Sequence, residues 1–167
     1  LGCFAPRSLR SDAAVGQERN GKEVGGLSRC RIAVIECPEE IPCNPCETAC
    51  PQGAIQVGEP ITNRPHLDTR RCIGCGLCVA ACPGLAIFLV NIDDNGQTEV
   101  TIPYEFLPLP EPGEIVMAVN REGESISQAQ VKARWQPPGA DGTYLVTIAL
   151  PAALATEARG IRRPYQR

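Results

Sequence analysis

From residue 31 onward the chain is punctuated by short apolar runs of strand length, separated by turn-forming residues. The first set is "RIAVIE", "AIQV", "HLD" and "AIFLVN", arranged as two pairs, each with a cysteine-rich loop and a helical turn or two between its members. Each short helix is expected to start near the third cysteine of its loop and to stop at the proline after the fourth, Pro51 or Pro83, which cannot continue a helix. After the proline-rich "PYEFLPLPEPGE", apolar and polar residues alternate through "EIVMAVN", "AQVKARW" and "TYLVTIAL". Turns fall at "REGE" and "PPGADG", and a short helix is expected at "PAALATEA", with Pro151 near its first turn. Residues 1–28 have no such periodicity and read as an irregular tail. The expected organisation is a tail at 1–28, a first domain at 29–104, a linker at 105–112 and a small β-rich, barrel-like domain at 113–167 ending in the short helix.

The first domain repeats internally. Cys43, Cys46 and Cys50 recur as Cys75, Cys78 and Cys82 at a constant offset of 32 residues, and "ACPQGAI" returns as "ACPGLAI". Cys37 corresponds to Cys72 at an offset of 35, so the first copy carries a three-residue insertion between its first two cysteines. A pseudo-twofold α+β domain is the architecture this implies.

Composition says what organises it. Ten cysteines, one histidine, 4% aromatic residues, 16 glycines and 16 prolines leave little for a large side-chain core. The N-terminal stretch contains no apolar run of signal-peptide length, and no run approaches the ~18 residues of a membrane span. The expectation is a soluble cytoplasmic protein without membrane insertion, although the chain starts at Leu1 and its true beginning is open. A reducing compartment keeps thiols free for metal ligation or redox chemistry. A net charge of -3 argues against a nucleic-acid surface, and "RR" at 70–71 and "RGIRR" at 159–163 read as solvated charge or a docking rim. No phosphate-cradling glycine loop and no nucleophile–base pair is suggested by spacing, so no catalytic site is expected. His66 reads as a loop or packing residue, and Trp135 and Tyr144 as the small core of the C-terminal unit.

The segment "CIGCGLCVAACP" has the spacing C-x2-C-x2-C-x3-C-P, and "CNPCETACP" repeats its last three cysteines. Three thiolates inside seven residues suit three corners of an iron–sulfur cube, whereas structural zinc prefers two separated cysteine pairs. Gly74 and Gly76 would let the backbone approach the inorganic core and aim NH groups at its sulfurs. Zinc ribbons, a thiol–disulfide enzyme or disulfide staples could absorb eight cysteines, but none explains both C-x2-C-x3-C-P copies.

The pattern resembles bacterial-type ferredoxins with two 4Fe-4S clusters, in which the fourth cysteine of each motif serves the other cluster. The resemblance implies a ferredoxin-like fold and two ligand sets. Cys37, Cys43, Cys46 and Cys82 would hold one cluster, and Cys72, Cys75, Cys78 and Cys50 the other. Cys37-x5-Cys43 departs from the usual two-residue spacing. Cys30 could replace Cys37 in principle, but from before the strand "RIAVIE" it would reach from the wrong end, and Cys3 and Cys30 read as ordinary thiols.

The surrounding text, "RIAVIECPEEIPCNPCETACP" through "CIGCGLCVAACPGLAIFLV", "IPYEFLPLPEPGEIV" and "LPAALATEARGIR", resembles small iron–sulfur subunits of flavin-dependent amino-acid dehydrogenases of the sarcosine-oxidase and hydroxyproline-dehydrogenase kind. That resemblance implies electron relay from FAD on partner flavoprotein subunits to a downstream acceptor. The C-terminal β unit would then be a docking module, or a lid shielding the clusters. Rival readings are a free-standing low-potential ferredoxin serving several enzymes and a zinc-bound structural module.

The two motifs should differ in potential. Pro42 and Pro45 withhold NH donors from the first, and Glu39, Glu40 and Glu47 add negative charge, while the second keeps its glycine donors. A spectroscopic redox titration is expected to show the first-motif cluster reduced last.

Overall fold

The computed structural model describes residues 31–92 and 97–163. The expected tail at 1–28 and the thiols of Cys3 and Cys30 lie outside the described residues.

The strand-length runs form strands. They are β1 (Ile32–Ile35), β2 (Ile55–Gln56), β3 (His66–Leu67), β4 (Ile87–Ile92), β6 (Ile115–Val119), β7 (Ser125–Trp135) and β8 (Tyr144–Pro151). Two further strands were not anticipated, β5 (Gln97–Tyr104) and the three-residue β9 (Gly160–Arg162). The α-helices among the described residues are α1 (Pro45–Thr48) and α2 (Leu77–Ala81), each within its cysteine loop. The described chain is thus mostly β-sheet, with less helix than an α+β expectation suggests.

The helix expected at "PAALATEA" is instead a 3-10 turn, Ala152–Leu154. Strand β8 runs on through Pro151, which faces Gln97 of β5, and only eight residues then remain before β9. Burial of Ala155 and Ala158 on the core holds it as a turn.

One antiparallel sheet runs in the order β1-β4-β5-β8-β7-β6-β9, while β2 and β3 pair separately. Strand β5 pairs with β4 on one side and along all eight of its residues with β8 on the other. The sheet therefore passes without a break across the proline-rich segment expected as a linker. On the shared centre, Thr101 Oγ1 and Thr147 Oγ1 are hydrogen-bonded at 2.8 Å in the interior.

Alternation along the strands makes two cores. Phe88, Val90, Val100, Ile102, Val146 and Ile148 point to one face and form the larger apolar cluster, closed by Ala155 and Ala158. Ala33, Ile87, Leu89 and Leu145 point to the other, where they meet Cys46, Cys78 and Val79. The second face carries the cysteine loops.

Strand β7 contributes to both through a bulge. Val131 pairs with Ile148 and Ala133 with Thr147, so Lys132 is an extra residue against β8. An inserted residue reverses which face the following side chains occupy. Trp135, expected in a separate C-terminal core, consequently packs with the cysteine-side cluster opposite Leu145. Deleting Lys132 should close the bulge and leave Arg134 opposite Val146 and Trp135 opposite Leu145, because the pairs on either side of the extra residue are already in step. Trp135 is the chain's single tryptophan, so an unchanged fluorescence emission in folded protein checks this, and a red shift would show that Lys132 is not the extra residue.

Candidate metal centre

The cysteine loops are held in shape by backbone devices. In the first, Pro45 occupies the first turn of α1, whose C-cap is Ala49, immediately before Cys50. In the second, Gly76 caps α2 at a left-handed φ of 80°, and Cys82 leaves the helix in an extended conformation. The two helices lie against each other, bringing the motifs together. Cys46 and Cys78 are buried, and Cys37, Cys43, Cys50, Cys72, Cys75 and Cys82 are partly buried, all as free thiols.

The internal repeat reappears in the hydrogen bonds to sulfur. Ala54 N donates to Cys50 Sγ at 3.2 Å, and Ala86 N donates to Cys82 Sγ at 3.4 Å, the same bond one repeat later. A donor aimed at sulfur favours the thiolate, the form that binds metal. Both bonds fall on the fourth cysteine of a motif.

Which sulfurs meet is visible in their electrostatics. Burial first, and then the neighbouring Cys72, Cys75, Cys50 and Cys46, push the Cys78 thiol up to about 12. Cys46 is likewise raised, first by burial, with Cys82 and Cys43 among the thiols that add to it. Cys50 and Cys46 of the first motif thus both act on Cys78 of the second, and Cys82 of the second acts on Cys46 of the first. Cys50, Cys72, Cys75 and Cys78 line one small pocket, partly open to solvent, together with Ala33, Ile55 and Leu89.

This donor set fits an iron–sulfur group. Buried sulfurs this close to one another resist ionisation, and a cationic iron centre supplies the charge that makes thiolates favourable there. Among the described residues no three His, Cys, Asp or Glu side chains converge as a lone metal ion would need. The four cysteines instead share the lining of that small pocket.

The second loop is packed tightly against the sheet. A Cβ on Gly74, at φ 64°, would lie 2.4 Å from the Arg31 carbonyl oxygen. One on Gly76 would lie 2.6 Å from both Leu145 Cδ1 and Trp135 Cη2. Strands β7 and β8 thereby form part of the wall behind the second motif.

Cys37 is steadied through its neighbour. Glu36 N donates to Ala86 O at 2.8 Å, and its carboxylate accepts two bonds from Arg159, Nε at 2.8 Å and Nη2 at 2.7 Å. Arg121 also donates to Glu36. The Arg159 side chain is only 6% exposed, lies 4.8 Å over the Phe88 ring and donates from Nη1 to Ala155 O and Ala158 O. A planar guanidinium suits this forked, stacked role. The cluster "RGIRR" is accordingly not free surface charge: Arg159 holds Glu36, and Arg163 pairs with Glu114. No spacing in the sequence signals these pairs, because their members are 123 and 49 residues apart.

The remaining candidates are peripheral. His66 is an exposed strand residue facing Gln56 across the β2–β3 pair. Arg70 pairs with Asp68 at the surface.

The comparisons with known proteins define a class for this region. Residues 41–86 match the family model described as a 4Fe-4S dicluster domain. That span holds seven of the eight motif cysteines, with Cys37 just outside it.

Among curated proteins, the chain is similar to one component of an ion-translocating oxidoreductase complex of Methanosarcina acetivorans, 47% identical over 86 residues, covering 52% of this chain and 28% of that protein. It is 40% identical over 76 residues to an uncharacterised ferredoxin of Methanocaldococcus jannaschii, covering 42% of this chain and 46% of the relative. It is also 30% identical over 115 residues to Protein Pixie of Drosophila melanogaster, covering 59% of this chain and 18% of that one. The chain spans less than half the length of each of these relatives. No solved structure matches it. Among the described residues, no helix is long and apolar enough to cross a membrane.

Two substitutions test the packing around the motifs. Gly74→Ala should lower the iron retained after anaerobic purification, while Gly139→Ala, at φ 80° with nothing within 4 Å, should not. Arg159→Met should destabilise the fold by about 2 kcal/mol, less than stranding a fully buried charge because Arg121 still reaches the partly exposed Glu36, read from the denaturant midpoint.

Proposed function

We propose that this chain is an electron-transfer iron–sulfur protein holding two 4Fe-4S clusters. The first is bound by Cys37, Cys43, Cys46 and Cys82, and the second by Cys72, Cys75, Cys78 and Cys50. The observation that carries this reading is the pocket in which Cys50 from the first motif joins Cys72, Cys75 and Cys78 from the second. The grouping of Cys46 with Cys43 and Cys82 supports the reciprocal set, as does the match to a dicluster domain. Clusters of this type pass one electron at a time, tuned by charge and by hydrogen bonds to sulfur. The chain's part is to hold the thiolates, aim NH groups at Cys50 and Cys82, and exclude water with the second face of the sheet.

The finer reading is a subunit relaying electrons from FAD on an amine or amino-acid dehydrogenase to a downstream acceptor, in the cytoplasm. Its support is the resemblance of the cysteine loops and flanking segments to subunits of that kind, together with a relative named as part of an oxidoreductase complex. A free-standing ferredoxin is the second reading, favoured by the relative named a ferredoxin.

Anaerobically purified protein should be brown and contain about eight irons, with matching acid-labile sulfide, per chain. Cys50→Ala should remove the signal of the cluster that Cys75→Ser also perturbs. Loss of the other cluster would mean that each motif supplies its own fourth ligand. Affinity purification from the native host, with flavin and iron assayed in one fraction, separates the subunit from the free carrier.

A further inference from the structure

Four side-chain atoms among the described residues are buried without a hydrogen-bond partner: Arg31 Nη1, Asn91 Oδ1, Glu99 Oε2 and Trp135 Nε1. They are connected to one another. Asn91 and Glu99 face each other across β4 and β5, Glu99 is the foremost charge acting on Arg31, and the Arg31 guanidinium lies 5.7 Å from the Trp135 ring centroid. Unpaired donors and acceptors in the interior are costly and call for an explanation.

The group lies behind the second cysteine motif. The Arg31 carbonyl presses on Gly74, Trp135 presses on Gly76, and Cys75 between them is the other group whose charge acts on Arg31. A guanidinium therefore stands behind the Gly74–Cys75–Gly76 segment that lines the pocket, against the ring that presses on Gly76, with one nitrogen shut off from water. Its charge is permanent, because arginine stays protonated in proteins. On the first-motif side the buried cation Arg159 is consumed by Glu36, while Glu39 and Glu47 add negative charge.

We propose that Arg31 is the positioning residue that sets the potential of the cluster bound by Cys72, Cys75, Cys78 and Cys50, making it the higher-potential site of the pair. This deepens the two-cluster reading and rests on it. Reduction adds one electron, with no bond made or broken, and the electron comes from the reduced flavin of the proposed relay. A fixed cation nearby lowers the energy of the added charge, and does so more strongly in the interior than in water. Trp135 keeps the guanidinium in place through its ring face and covers it from solvent. Glu99 opposes the effect as the larger of the charges acting on Arg31, although Arg31 Nη1 and Glu99 Oε2 each lack a hydrogen-bond partner. Electrons entering the chain then settle on the second-motif cluster.

The test is an EPR-monitored redox titration of the anaerobic full chain, with iron and zinc assayed in each sample. Arg31→Met should keep its iron and lower one midpoint, changing the oxidised-to-reduced ratio at fixed potential about tenfold, or ~59 mV for one electron. Arg31→Lys should restore most of that midpoint, and Glu99→Gln should move the same midpoint upward. Cys75→Ser identifies the cluster, since its EPR signal must be the one that Arg31→Met shifts. Iron-loaded Arg31→Met with both midpoints unchanged overturns the proposal, as does a shift confined to the other cluster. If Arg31→Met fails to hold iron, Glu99→Gln decides alone, an upward shift supporting the role and no shift overturning it. Wild-type protein containing zinc and no iron overturns the cluster reading itself, and the metal assay distinguishes that outcome from a failure of Arg31.

Discussion

Sulfur held near sulfur is the constraint on which the structure depends. Cys78 is buried among four other thiols, and each of them makes its ionisation harder. A cluster of thiolates is stable in such a place only with positive charge among them, so the fold makes sense around an inorganic core. The prolines of the first motif, the left-handed glycines of the second and the paired NH bonds to Cys50 and Cys82 are means of holding that arrangement. Cys50, the last cysteine of the first motif, lines one pocket with Cys72, Cys75 and Cys78 of the second.

The sheet gives this assembly a rigid back. One face is an ordinary apolar core, and the other presents Ala33, Ile87, Leu89 and Leu145 to the cysteine loops. Because β5 pairs with β8 throughout, the strands beyond the proline-rich segment are continuous with those that carry the motifs. They supply Leu145 and Trp135 to the second loop, and the segment after them supplies Arg159 to the residue beside Cys37. The C-terminal third is thus structural support for the site. That gives the idea of a covering lid a physical basis, and it means that a docking role would be additional to this one.

Legibility followed the range of the interactions. Strand existence was readable wherever apolar runs were bounded by turn residues, as in "RIAVIE", "AIFLVN" and "TYLVTIAL". Strand β5 carries the β-favouring residues Thr98, Val100, Thr101, Ile102 and Tyr104, a local signal as strong as that of its neighbours. The helix after Pro151 failed because its propensity was local while its conformation was decided by burial and by the short path to β9. Trp135 falls in a different core from the expected one because a single bulge residue, which period-2 reasoning cannot see, changed its face.

By itself the amino-acid order determined the thiol spacing, the repeat at 32 residues and hence the kind of chemistry, since ligand spacing within a loop is a local property of the chain. Tertiary structure alone decided what surrounds that chemistry. It joined β5 to β8, set Arg159 on Glu36, and placed Arg31 and Trp135 behind Gly74 and Gly76. Those contacts bring together residues far apart in sequence, and their partners are chosen by sheet register and packing, which no local pattern encodes.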